Sequence, residues 1–497
     1  DSYGRTDSII SADTTITTYS YTNLTTTVTT KKGSTTTTTK QTINALGETE
    51  ESEDNMNNKV YHSYYPDGKL KESYVSTHTG QKTEFTYDAQ GNRTSIDDPD
   101  AGTINSLYDA FGQLLRQINA NDDTTTYQYD KLVRMTQLSD KRGDIKYGYV
   151  TDTTSAAFGL IDSVYLDDNS LQEIFEYDSD YGRLTTETSS FLNKSLENAY
   201  TYDWFGRPST RTYPSDFEIQ YAYTSNGDQD QVIGNGLTLW SCSDVNALGQ
   251  VTSYSQGSNS TTVTYNIHGE LNQVETGTIM DMQYSFDDRG NLLHRLDDVT
   301  DQKEVFTYDN LNRLTGINYY DNGTHQTAYD VTMVYDNCGN ITSKTGLSSS
   351  INYGEGTETG PHALTSIDNP DTAYYPPPQA ISYNHFNKVS SISDTLSGGV
   401  PLTLDFTYGL SNQRIKTVQS RNSTIERVKY FNVDYEEDST SSGLKKYHYI
   451  YGGTGLTAIF VMEGSGNDTM HYVLSDHLGS LTGIVNATTS AVTKYSF

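Results

Sequence analysis

Apolar and polar residues alternate with a period of two in short runs along most of the chain, the spacing of a strand with one covered face. The runs end in a recurring phrase: an aromatic residue, Asp or Asn, two variable residues, then Gly. Clear copies are Tyr87-Asp88-Ala89-Gln90-Gly91, Tyr108-Asp109-Ala110-Phe111-Gly112, Tyr202-Asp203-Trp204-Phe205-Gly206 and Tyr335-Asp336-Asn337-Cys338-Gly339. Tyr308-Asp309-Asn310-Leu311-Asn312 is the same phrase with its Gly replaced, and Tyr129-Asp130 carries Val133 at that place. From 202 to 308 the starts fall at 202, 223, 245, 265, 286 and 308, a period of 21 or 22 residues.

Each position has a physical reason. Asp at the first place and Gly at the fourth suit a type I turn, and the Asp side chain can accept a backbone N–H inside it. The Gly takes the left-handed conformation that closes a bulged hairpin. Two residues before the aromatic stands a second large side chain, such as Phe85, Tyr200 or Phe306, on the same face of the strand. Six residues after it stands an aliphatic, such as Leu114, Leu292 or Leu314, on the returning strand. Each unit is therefore expected to be a hairpin plus a connector. One hairpin cannot bury its own apolar face, so neighbours must stack into one sheet. The motif aromatics are read as packing residues and the motif aspartates as turn formers.

The pattern predicts an all-β chain of tandem hairpins forming a long coiled β-ribbon. Extended over 497 residues, the period gives about 23 units and over 40 strands. At about 4.8 Å per strand the ribbon would be on the order of 200 Å long. Such a sheet must wind into a solid solenoid or enclose a space as a hollow shell. Four stretches are expected: divergent Thr-rich repeats over 1–60, a regular array over 61–353, an inserted loop over 354–378, and further repeats over 379–497. The loop is inferred from three consecutive prolines, Pro376 to Pro378, which no central strand tolerates. Thr14 to Lys40 is expected to be edge-like or loosely patterned β structure, with disorder as the alternative.

Composition agrees: 41 Tyr against 14 Phe and 2 Trp, with 39 Gly and 10 Pro. The net charge of -31 argues against nucleic acid and anionic membranes as partners. Cys242 and Cys338 stand 96 residues apart with no metal-ligand spacing. No apolar run is long enough for a membrane-spanning helix. No phosphate-binding glycine loop, metal-spaced His/Cys set or nucleophile elbow occurs, and no carboxylate cluster breaks the period. A non-catalytic chain without cofactor or metal is expected.

The repeats resemble the YD repeats of the Rhs family, whose consensus runs close to Tyr-Asp-x-x-Gly-Arg-Leu. The Gly-Arg step appears as Gly4-Arg5, Gly182-Arg183 and Gly206-Arg207, and Asn312-Arg313-Leu314 is its Gly-less form. Near the C-terminus, Ser475-Asp476-His477-Leu478-Gly479-Ser480 is similar to the Asp-His-Leu-Gly segment near the end of the Rhs core. The family winds YD repeats into a hollow β-shell around a toxic C-terminal domain, as does the C component of insecticidal toxin complexes. Teneurins use a similar shell in adhesion. The resemblance implies a secreted or surface-located shell, of bacterial origin, that carries its own C-terminal toxin and meets plug or secretion-apparatus proteins. The alternative is an adhesive surface protein with a cell-surface or glycan partner. The family's terminal motif, with its protease aspartates, is expected beyond Phe497, so no catalytic residue carries over. Asp476, His477 and Gly479 are read as a further hairpin turn.

Overall fold

The computed structural model describes residues 1–76, 81–354, 360–368, 380–396, 399–464 and 466–495. They hold 45 strands and one short 3-10 helix, Thr327–Tyr329. Among the described residues the strand pairings are antiparallel, and most strands pair with their neighbours in sequence; Val331–Tyr335 is an exception, pairing with Leu314–Asp321 past the short strand Thr324–His325. The chain forms two compact units. One comprises Asp1–Thr124, Tyr265–Asn272 and Met282–Tyr375; the other comprises Thr125–Thr264, Gln273–Asp281 and Pro376–Phe497.

In the first unit, consecutive strands from Ser8–Ile10 to Leu114–Ile118 pair each with the next. The Thr-rich stretch is regular: Ile16–Thr22, Thr25–Lys32 and Thr35–Ile43 are joined by tight turns and paired along their whole length. Their β-branched side chains suit a pleated surface, and hydroxyls form rungs across the strands at Thr17–Thr30, Thr25–Thr42 and Thr29–Thr38. Little of this unit is dry. Among the described residues its buried apolar side chains are Met282, Tyr284, Met333 and Ile351. Part of the stretch expected as a loop is ordered β structure: Leu364–Asp368 pairs with Ser350–Tyr353, Ile351 opposite Ile367. The β-branched Thr365 and Ile367 suit a strand. Pro376 to Pro378 lie outside the described residues.

The second unit has two runs of sequentially paired strands. One extends from Thr124–Tyr129 to Asn259–Tyr265 and the other from Ala380–Tyr383 to Val492–Lys494. The runs meet along a dry seam. Ile219, Val232, Leu239 and Trp240 from the first and Ile450, Ala458, Val473 and Leu474 from the second are all nearly inaccessible. Trp240 lies flat against Gly452 and Gly453, where any Cβ would collide with the indole ring. A buried side chain of this size contributes roughly 2–3 kcal/mol, so the seam anchors the unit. Cys242 and Cys338 are not joined in a disulfide.

Candidate functional site

The repeated chemistry of the chain is the turn that closes each hairpin. At Tyr308-Asp309, the Asp309 amide donates to the Arg313 carbonyl at 3.0 Å and the Asn312 amide to the Asp309 carbonyl at 3.1 Å. Asp309 Oδ1 accepts the Leu311 and Arg313 amides at 2.8 and 3.0 Å. One carboxylate oxygen thus satisfies two N–H groups that the turn would otherwise strand. Asp88, Asp109, Asp203 and Asp336 do the same, with Oδ1 contacts of 2.8 to 3.0 Å. Asp476 belongs to this series: it accepts the Leu478 and Ser480 amides at 2.9 and 2.8 Å. His477 Nδ1 lies 4.0 Å from Asp476 Oδ2, beyond hydrogen-bond reach. The fourth turn residue sits at positive φ throughout: Gly91 (+93°), Gly112 (+82°), Gly206 (+80°), Asn312 (+61°), Gly339 (+94°) and Gly479 (+83°). Val133 is held there too, at +67°, a costly place for a β-branched residue.

The motif Tyr sits at a one-residue register shift, and in several repeats this sets it opposite the aliphatic or basic residue six places on. Examples are Tyr87 opposite Arg93, Tyr108 opposite Leu114, and Tyr308 opposite Leu314. The rings are half-buried, so packing alone does not explain why Tyr outnumbers Phe. The hydroxyls do. Tyr202 donates to the Leu184 carbonyl at 2.8 Å, Tyr308 to Leu292 at 2.9 Å and Tyr335 to Leu314 at 2.8 Å. Tyr149, Tyr177, Tyr223 and Tyr408 repeat the bond with Met135, Ile161, Pro208 and Val389. Every one of these acceptors opens a strand of the preceding repeat. Burial pushes the Tyr202 and Tyr308 phenols above their ordinary range, which keeps them donors.

The Arg after the turn carries a second link. Arg313 Nε donates to Asp309 Oδ2 at 2.7 Å, Nη1 donates to the Asp336 carbonyl at 2.9 Å, and the guanidinium stands 4.7 Å from the Tyr335 ring centroid. Arg134, Arg183 and Arg207 likewise bond Asp130, Asp178 and Asp203 and lie over Tyr149, Tyr202 and Tyr223. An Asp, an Arg and the next repeat's Tyr therefore form a chain of contacts from one turn to the following one. Burial pushes the Asp203 and Asp309 carboxyls up, but the amide and guanidinium donors outweigh it and hold both below the usual carboxylate range. At Asp88 the Asn92 side-chain amide takes the Arg's role. At three turns that open with Asn, the partner four residues on changes to an acceptor: Glu48 for Asn44, Gln250 for Asn246 and Glu270 for Asn266. That exchange of donor for acceptor is visible in the sequence, and reading the turns singly misses it.

One arrangement in the second unit has the outline of a nucleophile and base. Ser215 Oγ lies 2.5 Å from His448 Nε2, and His448 Nδ1 lies 2.9 Å from the Phe460 carbonyl. The carbonyl fixes the proton on Nδ1, so Ser215 donates to Nε2. His448 is wholly buried among Tyr213, Phe217, Tyr435 and Phe460, and burial pushes its pKa down to about 4. A carbonyl stands where a carboxylate would stabilise an imidazolium, so the geometry suits a fixed internal strut rather than proton transfer. Among the described residues no group of three or more His, Cys, Asp and Glu is placed to hold a metal ion. No helix there is long and apolar enough to cross a membrane.

The RHS repeat family matches residues 64–103 and 108–145. No curated protein matches the chain in sequence. Among solved structures, the crystal structure of TcdB2-TccC3-Cdc42 superposes with a TM-score of 0.82 at 16% identity, over 99% of this chain and 30% of that one. TcdB2-TccC3 without its hypervariable C-terminal region gives 0.81 at 15% identity, covering 99% and 29%. The Photorhabdus luminescens Tc holotoxin pore, carrying a TccC3 variant, gives 0.78 at 14% identity, covering 100% and 29%. The chain thus spans about 30% of the length of the solved structures it matches. The Asp, Arg and Tyr contacts recur in both units. Residues 64–103 and 108–145 are thus RHS repeats by sequence, and the chain as a whole has the fold seen in the TcdB2-TccC3 structures.

Proposed function

We propose that this chain is part of the wall of a secreted YD-repeat shell that encloses a variable C-terminal toxin domain for use against competing bacteria or a host. The observation that carries the reading is the fold likeness to TcdB2-TccC3 along 99% of the chain. TcdB2-TccC3 has a hypervariable C-terminal region, and we infer an equivalent domain as the cargo here. Two properties suit a container. The first unit has few dry side chains, so its sheet faces are compatible with water. The charge of -31 keeps such a wall soluble and resists stacking of one wall on another. The wall itself is non-catalytic, its aspartates being committed to turns. Its partners are the cargo and the further shell or secretion components.

The test is the denatured intact mass of the natural protein, with sequencing of its C-terminus. A separate C-terminal fragment that stays bound until denaturation supports an enclosed cargo. A natural chain with no domain after the repeats removes the carrier reading and leaves an adhesive surface array, which glycan or cell binding would then support.

A further inference from the structure

A cavity of about 380 Å³ lies within the second unit, lined by Glu173, Phe175, Glu187, Phe191, Gln413 and Phe431 among others. The register of Leu171–Tyr177 with Leu184–Phe191 builds one wall. Phe175 stands opposite Glu187, Glu173 opposite Ser189 and Leu171 opposite Phe191. Residues two apart share a face, so both carboxylates and both rings point the same way. The two glutamates are diagonal neighbours across the strand pair, about 7–8 Å apart at the backbone.

The carboxylates of this cavity differ from several other covered carboxylates of the unit. Five of those touch a cation: Asp140 with Arg142, Asp434 with Arg211, Glu436 with Lys429, Glu437 with Lys194 and Asp438 with Arg427. Glu173 instead accepts the Gln413 side-chain amide at 3.0 Å, and Glu187 accepts the Tyr200 hydroxyl at 2.7 Å. Among the described residues neither has a cation within ion-pair distance. Arg414 also lines the cavity, but its guanidinium stacks 4.3 Å from the Phe406 ring centroid. Two acceptors without a counter-charge beside three phenyl rings form a surface complementary to a cation on an apolar stem.

We propose that this cavity binds a protonated amine on an alkyl stem, with Glu173 and Glu187 facing the ammonium and Phe175, Phe191 and Phe431 enclosing the stem. At about 30 Å³ per water-sized volume the space holds on the order of a dozen heavy atoms, enough for a lysine side chain or a small free amine. Burial, followed by the charge of Glu187, pushes the Glu173 carboxyl up against the opposing Gln413 bond, and an arriving ammonium would reverse that push. The inference does not depend on the shell reading, since it concerns a pocket within one unit.

The experiment is a calorimetric titration of the intact chain at neutral pH with n-butylammonium, and with n-butanol as the neutral analogue. Saturable butylammonium binding in the millimolar range is expected, with n-butanol at least ten-fold weaker. Glu173→Gln should weaken butylammonium at least ten-fold, and the double variant with Glu187→Gln should abolish saturation, while far-UV circular dichroism is unchanged. Absence of saturation, equal binding of the alcohol, or full binding by the double variant overturns the proposal. Should a variant misfold, the amine-to-alcohol ratio on the native chain still decides. Tighter binding of a capped lysine amide than of butylammonium would assign the site to a protein lysine; weaker binding would assign it to a free amine.

Discussion

Replacing Arg313 by Ala should loosen the turn after its own. The guanidinium makes an ion pair with Asp309, donates to the Asp336 carbonyl and faces the Tyr335 ring. Both charged partners of the pair are about one-fifth exposed, so solvent screening leaves roughly 0.5–1 kcal/mol for it. The carbonyl bond adds about 1 kcal/mol and the ring contact about 0.5 kcal/mol. Because one group makes all three, they overlap, and about 2 kcal/mol is the expected loss. An array of nearest-neighbour repeats opens locally, so a global melting point would dilute the effect. Amide exchange resolved by segment reads it directly. Protection across Asp336–Lys344 should fall about 30-fold, at 1.4 kcal/mol per factor of ten. Arg313→Lys keeps the charge but not the planar fork, so it should recover less than half. If Arg313→Ala quickens exchange only at 309–313 and leaves Asp336–Lys344 unchanged, the repeat-to-repeat contact carries no coupling and the reasoning fails.

Tyr308→Phe should cost about 1 kcal/mol by leaving the Leu292 carbonyl without its donor, read as exchange roughly five-fold faster around Leu292–Asp297. Val133→Gly relieves a β-branched residue at φ +67° and should slow local exchange at 130–134, by about 1 kcal/mol before the extra freedom of Gly in the unfolded chain is subtracted. Acid should act on the second unit first through His448. Its folded pKa of about 4 is below the unfolded value, so stability is complete above about 6.5 and declines as pH falls toward 4, by up to about 3 kcal/mol. A denaturant titration at pH 7 and pH 4.5 should show this loss, and His448→Gln should reduce it. The turn aspartates act at lower pH. With folded pKa values depressed at Asp203 and Asp309, their contribution is present above the ordinary carboxylate value and disappears as pH falls through the lowered one, which amide exchange at the two turns would follow.

Much of this fold could be read from the chain because its information is local. The period-two alternation, the Asp at the head of each turn and the Gly at its fourth place each fix backbone within a few residues, and Tyr202-Asp203 through Gly206 shows all three. Asp476-His477-Leu478-Gly479 was legible for the same reason. The Tyr hydroxyls were not, since their acceptors lie 14 to 21 residues earlier, as with Tyr149 and Met135 or Tyr335 and Leu314, and packing was reason enough for an aromatic. Least legible were contacts made where distant stretches meet. Asn55 donates to the Asn310 carbonyl, and Arg142 reaches the Gly409 and Leu410 carbonyls and Asn412, across separations of 255 to 270 residues. No periodic pattern encodes which repeat will face which. The glutamate-lined cavity belongs to this class, because Gln413 and Phe431 come from segments far from Glu173 in sequence.

The pairing of most strands with their neighbours in sequence has a mechanical side. Such a sheet can be wound from one end in the order the chain is synthesised, each hairpin waiting only for residues already made, which keeps contact order low despite the all-β content. Pulled from an end, it should give way one rung at a time at modest force. Long-range bolts such as Arg142 on the 409–412 turn and Trp240 on Gly452 and Gly453 would interrupt that peeling, so a force trace should show small steps punctuated by larger ones.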